Sequence, residues 1–163
     1  MTTLTRTTAI ALALGLLAAV PALAAGTSSN SSTNDSSNAG STADDYDAAV
    51  ADVKAGNYGA AIPLLQKVVA VSPRNPDALN YLGFSYRKTG KTDEALAYYQ
   101  KALDLQPKHL GANEYLGELY LELKNLPKAE ERLSVLQQAC GACEEYGELK
   151  EKVEQFKKTG QTS

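Results

Sequence analysis

The sequence has no tryptophan, a single histidine and, apart from the initiator, no methionine. No nucleophile and base can be paired around the lone His109, so the sequence does not indicate a hydrolytic enzyme. The formal net charge is −3 and Lys and Arg form no cluster, which argues against nucleic acid or an anionic membrane surface as a partner. We therefore expect a protein that is not an enzyme and carries no cofactor.

The N-terminal segment lacks an apolar run of the roughly 20 residues that cross a bilayer. Its apolar stretch, residues 9–20, follows Arg6, and residues 22–24 (Ala-Leu-Ala) have the small-x-small form of a signal peptidase site. These features predict a signal peptide over residues 1–24 and a periplasmic or secreted chain that begins at Ala25, with no stable membrane insertion. An uncleaved signal anchor is the alternative.

The next segment, residues 25–43, has no large apolar side chain and is rich in Ser, Thr and Asn. Such a segment cannot bury enough apolar surface to offset the entropy of ordering. We therefore expect a disordered spacer between the signal peptide and the folded part of the chain.

From residue 44 onwards the chain repeats itself with a period of 34 residues. A fixed period of this size is typical of a solenoid built from one supersecondary unit. Positions one period apart hold the same residue at Gly56 and Gly90, at Ala61, Ala95 and Ala129, at Leu82 and Leu116, at Gly83 and Gly117, at Tyr86 and Tyr120, and at Pro73 and Pro107.

The spacing L-G-x-x-Y, eight residues, A-x-x-x-Y-x-x-A and then Pro resembles the tetratricopeptide repeat. The resemblance covers three units of the folded part (residues 44–143), at about residues 42–75, 76–109 and 110–143. It implies an all-α, right-handed α-solenoid of three helix-turn-helix units, each of which needs neighbours to bury its apolar stripe. Tyr146, Leu149, Val153 and Phe156 recur at helical spacing and predict a C-terminal capping helix over residues 144–160.

Cys140 and Cys143 are the only cysteines and form a C-G-A-C motif. A thioredoxin-like pair opens a helix after a strand, whereas this pair follows a predicted helix, whose C-terminal dipole disfavours a thiolate. Haem attachment needs a His at position 144, which is Glu, and a zinc site needs further ligands, so no metal is expected. In an oxidising compartment the motif favours a disulfide, and a thiol-disulfide or metal-handling function through Cys140 and Cys143 is the alternative.

The resemblance also implies a concave groove, formed mostly by the first helix of each repeat, that binds another protein or a peptide. Phe84 is expected to be its energetic centre, and the acidic Glu114 and Glu118 favour a basic partner. By register, the exposed groove positions are Tyr46, Val50, Asn80, Phe84, Arg87, Glu114, Glu118 and Leu121.

Some tetratricopeptide repeat domains hold the C-terminal carboxylate of a chaperone with Lys, Arg and Asn. The matching positions here are Tyr46, Val50, Tyr81, Gly111 and Tyr115, which carry no positive charge, so that clamp is absent. The sequence therefore predicts a non-enzymatic, exported scaffold or adaptor that binds a protein or peptide. It indicates neither the identity of the partner nor whether the chain self-associates.

Overall fold

The computed structural model describes residues 36–161. Within this range there is no strand, and the chain forms a succession of seven helices. The sequence prediction of an all-α fold built from helix-turn-helix units is confirmed. The helices are α1 (Ser36–Lys54), α2 (Tyr58–Val71), α3 (Pro76–Lys88), α4 (Thr92–Leu105), α5 (Leu110–Glu122), α6 (Leu126–Ala139) and α7 (Glu144–Thr159).

The helices pack in consecutive pairs, α1 with α2, α3 with α4 and α5 with α6, and each pair packs on the next. The helix α7 lies against both α5 and α6 and covers the end of the array. Among the described helices, none combines the length and apolar character needed to cross a membrane. The three first helices, α1, α3 and α5, form one side of the array, which we call the inner face.

The turn between the two helices of each repeat requires a left-handed residue. Gly56 and Gly90 take this conformation with φ of 80° and 79°, which glycine adopts without steric cost. The third repeat has Lys124 at the equivalent position with φ of 56°, a conformation that is uncommon for any residue with a Cβ. The repeat therefore imposes its turn geometry even where the sequence does not supply the favoured residue.

Small residues allow the helices to approach one another closely. The first turn of the second helix in each repeat contains a completely buried alanine, at Ala61, Ala95 and Ala129. A Cβ added to Gly83 would meet the ring of Tyr99 at 2.8 Å, so the two helices of the second repeat are in contact at this point. The small residues that recur with the repeat period thus lie where the helices pack against one another.

The lone histidine caps a helix. His109 is buried, its Nδ1 accepts a hydrogen bond from the Ala112 backbone N–H at 3.1 Å, and its Nε2 lies 3.0 Å from Asp77. Asn75 does the same at the start of α3, accepting from the Ala78 backbone N–H at 3.0 Å. Each cap satisfies a backbone donor that the first turn of a helix leaves free.

The first helix begins earlier than the sequence indicated. Residues 36–43 were expected to belong to the disordered spacer, but α1 starts at Ser36, so this part of the prediction is wrong. Once residues 44–54 are held against α2, each added residue gains a helical hydrogen bond without a new nucleation cost. The predicted signal peptide, residues 1–24, and the spacer up to residue 35 lie outside the described residues.

Candidate binding face

Three half-buried tyrosines lie along the inner face, Tyr46 on α1, Tyr81 on α3 and Tyr115 on α5. We call them the tyrosine row. The rings of Tyr46 and Tyr81 meet edge to face with centroids 6.2 Å apart. Burial, together with the nearby Asp77 carboxylate, raises the pKa of Tyr46 to about 12. Burial also raises the pKa of Tyr115, so both hydroxyls stay protonated and can donate hydrogen bonds at neutral pH.

Phe84 is part of the packing between repeats. Its ring centroid lies 4.6 Å from that of Tyr115 and 5.7 Å from that of Tyr58, and Lys88 lies over its face at 5.3 Å. The sequence analysis placed Phe84 at an exposed position of the groove, whereas its ring is half-buried and joins α3 to α2 and α5. Its replacement would therefore lower stability as well as any binding. The role of Phe84 as the energetic centre of the groove stays a prediction.

A buried ionic network crosses the inner face between α3, α5 and α7. Arg87 bonds to Glu118 and, at 2.9 Å, to Glu122, while Lys152 of α7 bonds to the other oxygen of Glu118. Burial alone would lower the pKa of Arg87, but the Glu118 carboxylate outweighs this and raises it. The hydrogen bond with Glu118 likewise raises the pKa of Lys152 against the effect of burial, so both cations stay charged.

An acidic cleft of about 180 Å³ opens between α5 and α7 beside Tyr115. Glu114, Glu144, Glu145 and Glu148 line it. Burial, the hydrogen bond with Glu148 and the charge of Glu118 raise the pKa of Glu114 to about 8. The cleft thus combines the buried carboxyl group of Glu114 with those of Glu144 and Glu148, which are exposed, and of Glu145, which is half-buried.

The carboxylate oxygens of Glu114, Glu118 and Glu148 lie within 4.8 Å of one another, which is close enough to share a cation. Glu118, however, already bonds to Arg87 and Lys152, and Lys152 also lies 3.6 Å from Glu148. A metal ion would have to displace Lys152. The geometry therefore favours a protein ammonium as the counterion of this cluster.

The structure corrects the expected exposure of half of the predicted groove residues. Tyr46, Val50 and Phe84 are half-buried, and the Arg87 side chain is enclosed by its ion pairs. Four of the residues predicted to be exposed are instead buried, because α7 covers α5 and the inner helices pack closely. They are Asn80, Glu114, Glu118 and Leu121.

Sequence reasoning did not include two of the three residues of the tyrosine row. Tyr81 and Tyr115 were compared only with a carboxylate clamp and then set aside, although a tyrosine recurs one period apart at these positions. The cleft was missed for a different reason. Glu144, Glu145 and Glu148 come from α7, which the repeat pattern does not place relative to α5.

The cysteines lie between the last two helices. Cys140 is the C-cap residue of α6 and Cys143 the N-cap residue of α7, and the structure joins their sulfur atoms at 2.04 Å. Both cysteines follow the C-terminus of α6, as the sequence predicted, and Cys143 also immediately precedes α7, which the prediction based on the helix dipole did not consider. The oxidation state in the cell stays a prediction.

Comparison with known proteins agrees with this architecture. Two profiles described as tetratricopeptide repeat match residues 46–109 and residues 86–153. Cellulose synthase operon protein C of Escherichia coli K12 is 41% identical over 70 residues, which are 43% of this chain and 6% of that protein. The chain spans 29% or less of the length of the curated relatives that it matches.

Solved structures share the fold at low sequence identity. The first such domain of Spaghetti (RPAP3), bound to the HSP90 peptide SRMEEVD, is 18% identical with a TM-score of 0.65, covering 73% of this chain and 94% of that one. The Yersinia enterocolitica type III secretion chaperone SycD, in complex with a YopD peptide, is 21% identical with a TM-score of 0.62, covering 77% and 92%. The chain belongs to the tetratricopeptide repeat family.

Proposed function

We propose that this protein is a non-enzymatic scaffold that binds an extended segment of a partner protein along its inner face. The fold supports this proposal, since similar domains have been solved with bound peptides of HSP90 and YopD. The sequence also predicts export, so the partner is expected in the periplasm or outside the cell.

The tyrosine row is the observation that carries the proposal. Tyr46, Tyr81 and Tyr115 lie half-buried on successive first helices, and the raised pKa values of Tyr46 and Tyr115 keep those two hydroxyls protonated. Tyrosine gives a large, rigid contact area that is apolar on its face and polar at its tip, which is why it is enriched where binding energy concentrates. The row spans all three repeats, so it can contact several residues of one extended segment.

The acidic cleft favours a partner that carries a positive charge. Glu144, Glu145 and Glu148 border Tyr115, so a Lys or Arg side chain that follows the row would find carboxylates at its end. The HSP90 peptide SRMEEVD ends in acidic residues, and an acidic tail would be repelled here. We therefore expect a partner segment with a basic residue at one end, and binding that weakens with added salt.

The test starts from a phage-displayed library of random peptides selected on the wild-type protein. Selected peptides should be rich in Lys and Arg, and their affinities for variants can be measured by fluorescence anisotropy. Tyr81→Ala should weaken binding about tenfold or more, the loss expected at the centre of an interface. Tyr98→Ala is the matched control, because Tyr98 is also half-buried but lies on α4, stacked on Tyr86 at 5.5 Å.

Several outcomes would contradict the proposal. Equal losses in Tyr81→Ala and Tyr98→Ala would point to general destabilisation, and circular dichroism of both variants checks this directly. Selection of acidic peptides would refute the charge argument. Failure to select any peptide on the folded protein would refute binding of extended segments altogether.

A thiol function is the second candidate, and one observation favours it. Cys143 begins α7, and the positive end of a helix dipole stabilises a thiolate at that position. Cys140, however, ends α6, where the dipole has the opposite effect. Reduction of insulin by the dithiol form, lost in Cys143→Ser, would support this candidate over a purely structural bond.

A further inference from the structure

Two glutamates face each other where α7 docks on α5. Glu114 of α5 is 4% exposed, and the carboxylate oxygens of Glu114, Glu118 and Glu148 of α7 lie within 4.8 Å of one another. Two ionised carboxylates this close repel each other, whereas a proton on one of them allows it to donate a hydrogen bond to the other. The geometry of this helix contact therefore favours a proton held between Glu114 and Glu148.

We propose that Glu114 and Glu148 share one proton across the contact between α5 and α7, and that release of this proton to water weakens the docking of α7. With the proton in place, the pair is a hydrogen bond between a neutral acid and a carboxylate. Without it, the buried carboxylate of Glu114 faces the exposed carboxylate of Glu148, and solvent screens their repulsion only on the Glu148 side.

The surroundings do not supply another counterion for Glu114. The two nearby cations, Lys152 and Arg87, both bond to Glu118, so most of their charge is already matched. Lys152 reaches Glu148 only at 3.6 Å. The charged and titratable groups around the pair are Glu118 and Tyr115 on α5, Glu144, Glu145 and Lys152 on α7, and Tyr81 and Arg87 on α3.

The direction of the pH effect follows from which state binds the proton. Burial, the bond with Glu148 and the charge of Glu118 raise the pKa of Glu114 from 4.5 to about 8. Between these values the folded protein holds a proton that the unfolded chain has lost. Stability therefore falls as the pH rises through this window. The contribution is fully present below the lower value and is lost above the upper one.

The experiment compares thermal unfolding and hydrogen–deuterium exchange from about pH 6 to about pH 9. The Tm of the wild-type protein should fall by about 5 °C over this range, and exchange, corrected for its intrinsic pH dependence, should speed up in α7 more than in α2. Glu114→Gln keeps a neutral donor beside Glu148, so it should lose this pH dependence. Glu94→Gln on α4 changes an exposed glutamate in the same way and should retain it.

A direct measurement and a second variant make the test decisive. Carbon-13 detected titration should find one glutamate carboxyl with a midpoint near the pKa of about 8 that the structure gives Glu114. The proposal is overturned if every glutamate titrates below about pH 6, or if Glu114→Gln shows the wild-type fall in Tm.

If Glu114→Gln fails to fold, Glu148→Gln serves as the second variant, because it removes the carboxylate that faces Glu114. It should lower the titration midpoint of Glu114 and reduce the fall in Tm between the two pH values. A wild-type response in Glu148→Gln would also overturn the proposal. All of these measurements use the protein without a partner, so their outcome is independent of the proposed binding function.

Discussion

Gly117 on α5 is where α7 comes closest to the third repeat, and its replacement by Ala tests the packing argument. A Cβ at this position would meet the methyl carbons of Leu149, with Cδ1 only 2.8 Å away. Real Cβ atoms do not approach other heavy atoms so closely, and Leu149 has no exposed surface into which its side chain could turn. Gly117→Ala must therefore push α7 away or force Leu149 out of its preferred rotamer.

The size of the effect follows from two opposing terms. Forcing one extra carbon into a packed contact costs about 1–3 kcal/mol. Replacing Gly by Ala within a helix gains about 1 kcal/mol of helix propensity, which offsets part of this cost. Gly147 on α7 isolates the second term, because a Cβ there has no atom within 4 Å. We expect Gly147→Ala to stabilise the protein and Gly117→Ala to be about 1–3 kcal/mol less stable than Gly147→Ala.

Urea unfolding followed by far-ultraviolet circular dichroism measures both variants, since the chain has no tryptophan to report on unfolding. A double-mutant cycle with Leu149→Ala checks that Leu149 is the residue in contact with position 117. Leu149→Ala should cost about 2–5 kcal/mol in the wild type, and less beside Gly117→Ala, because the new methyl group fills part of the space. A Gly117→Ala variant as stable as Gly147→Ala would refute the assigned contact.

Further predictions concern cleavage of the signal peptide, the disulfide between Cys140 and Cys143, and the turn between the helices of the third repeat. The intact mass of protein exported with its own leader should match a chain that begins at Ala25 and lacks the thiol protons of Cys140 and Cys143. A mass that includes residue 1 or both thiols would contradict the respective prediction. Lys124→Gly should raise the unfolding free energy by about 0.5–1 kcal/mol, because it relieves a left-handed conformation at some entropic cost. An unchanged urea midpoint would show that Lys124 is not strained.

The fold was predictable because its signals are local and repeated. The period of 34 residues recurs in the helix starts, with α2, α4 and α6 beginning at Tyr58, Thr92 and Leu126. Gly56 and Gly90 mark turns whose geometry the third repeat copies at Lys124. Each of these features depends on neighbours along the chain or one period away, so the sequence contains the information directly.

The binding face was less predictable because exposure depends on contacts between elements. The repeat register places Glu114 and Glu118 on the inner side of α5, which in an open array would face solvent. Here α7 covers them through Leu149 and Lys152, and Leu121 is buried at the same end of the array. A repeat pattern does not specify how a capping helix packs against the two helices of the last repeat.

The packing of α7 on α5 also affects which part of the inner face is open to a partner. By covering Glu118 and packing on Gly117, α7 closes the part of the third repeat that follows Tyr115 on α5. What stays accessible is the tyrosine row, which ends at the acidic cleft beside Tyr115. A segment bound there would have apolar contacts over the first two repeats and a basic residue at its α7 end. The same helix that closes the core would then help to set the direction in which a partner lies, because the four glutamates of the acidic cleft lie at that end of the row.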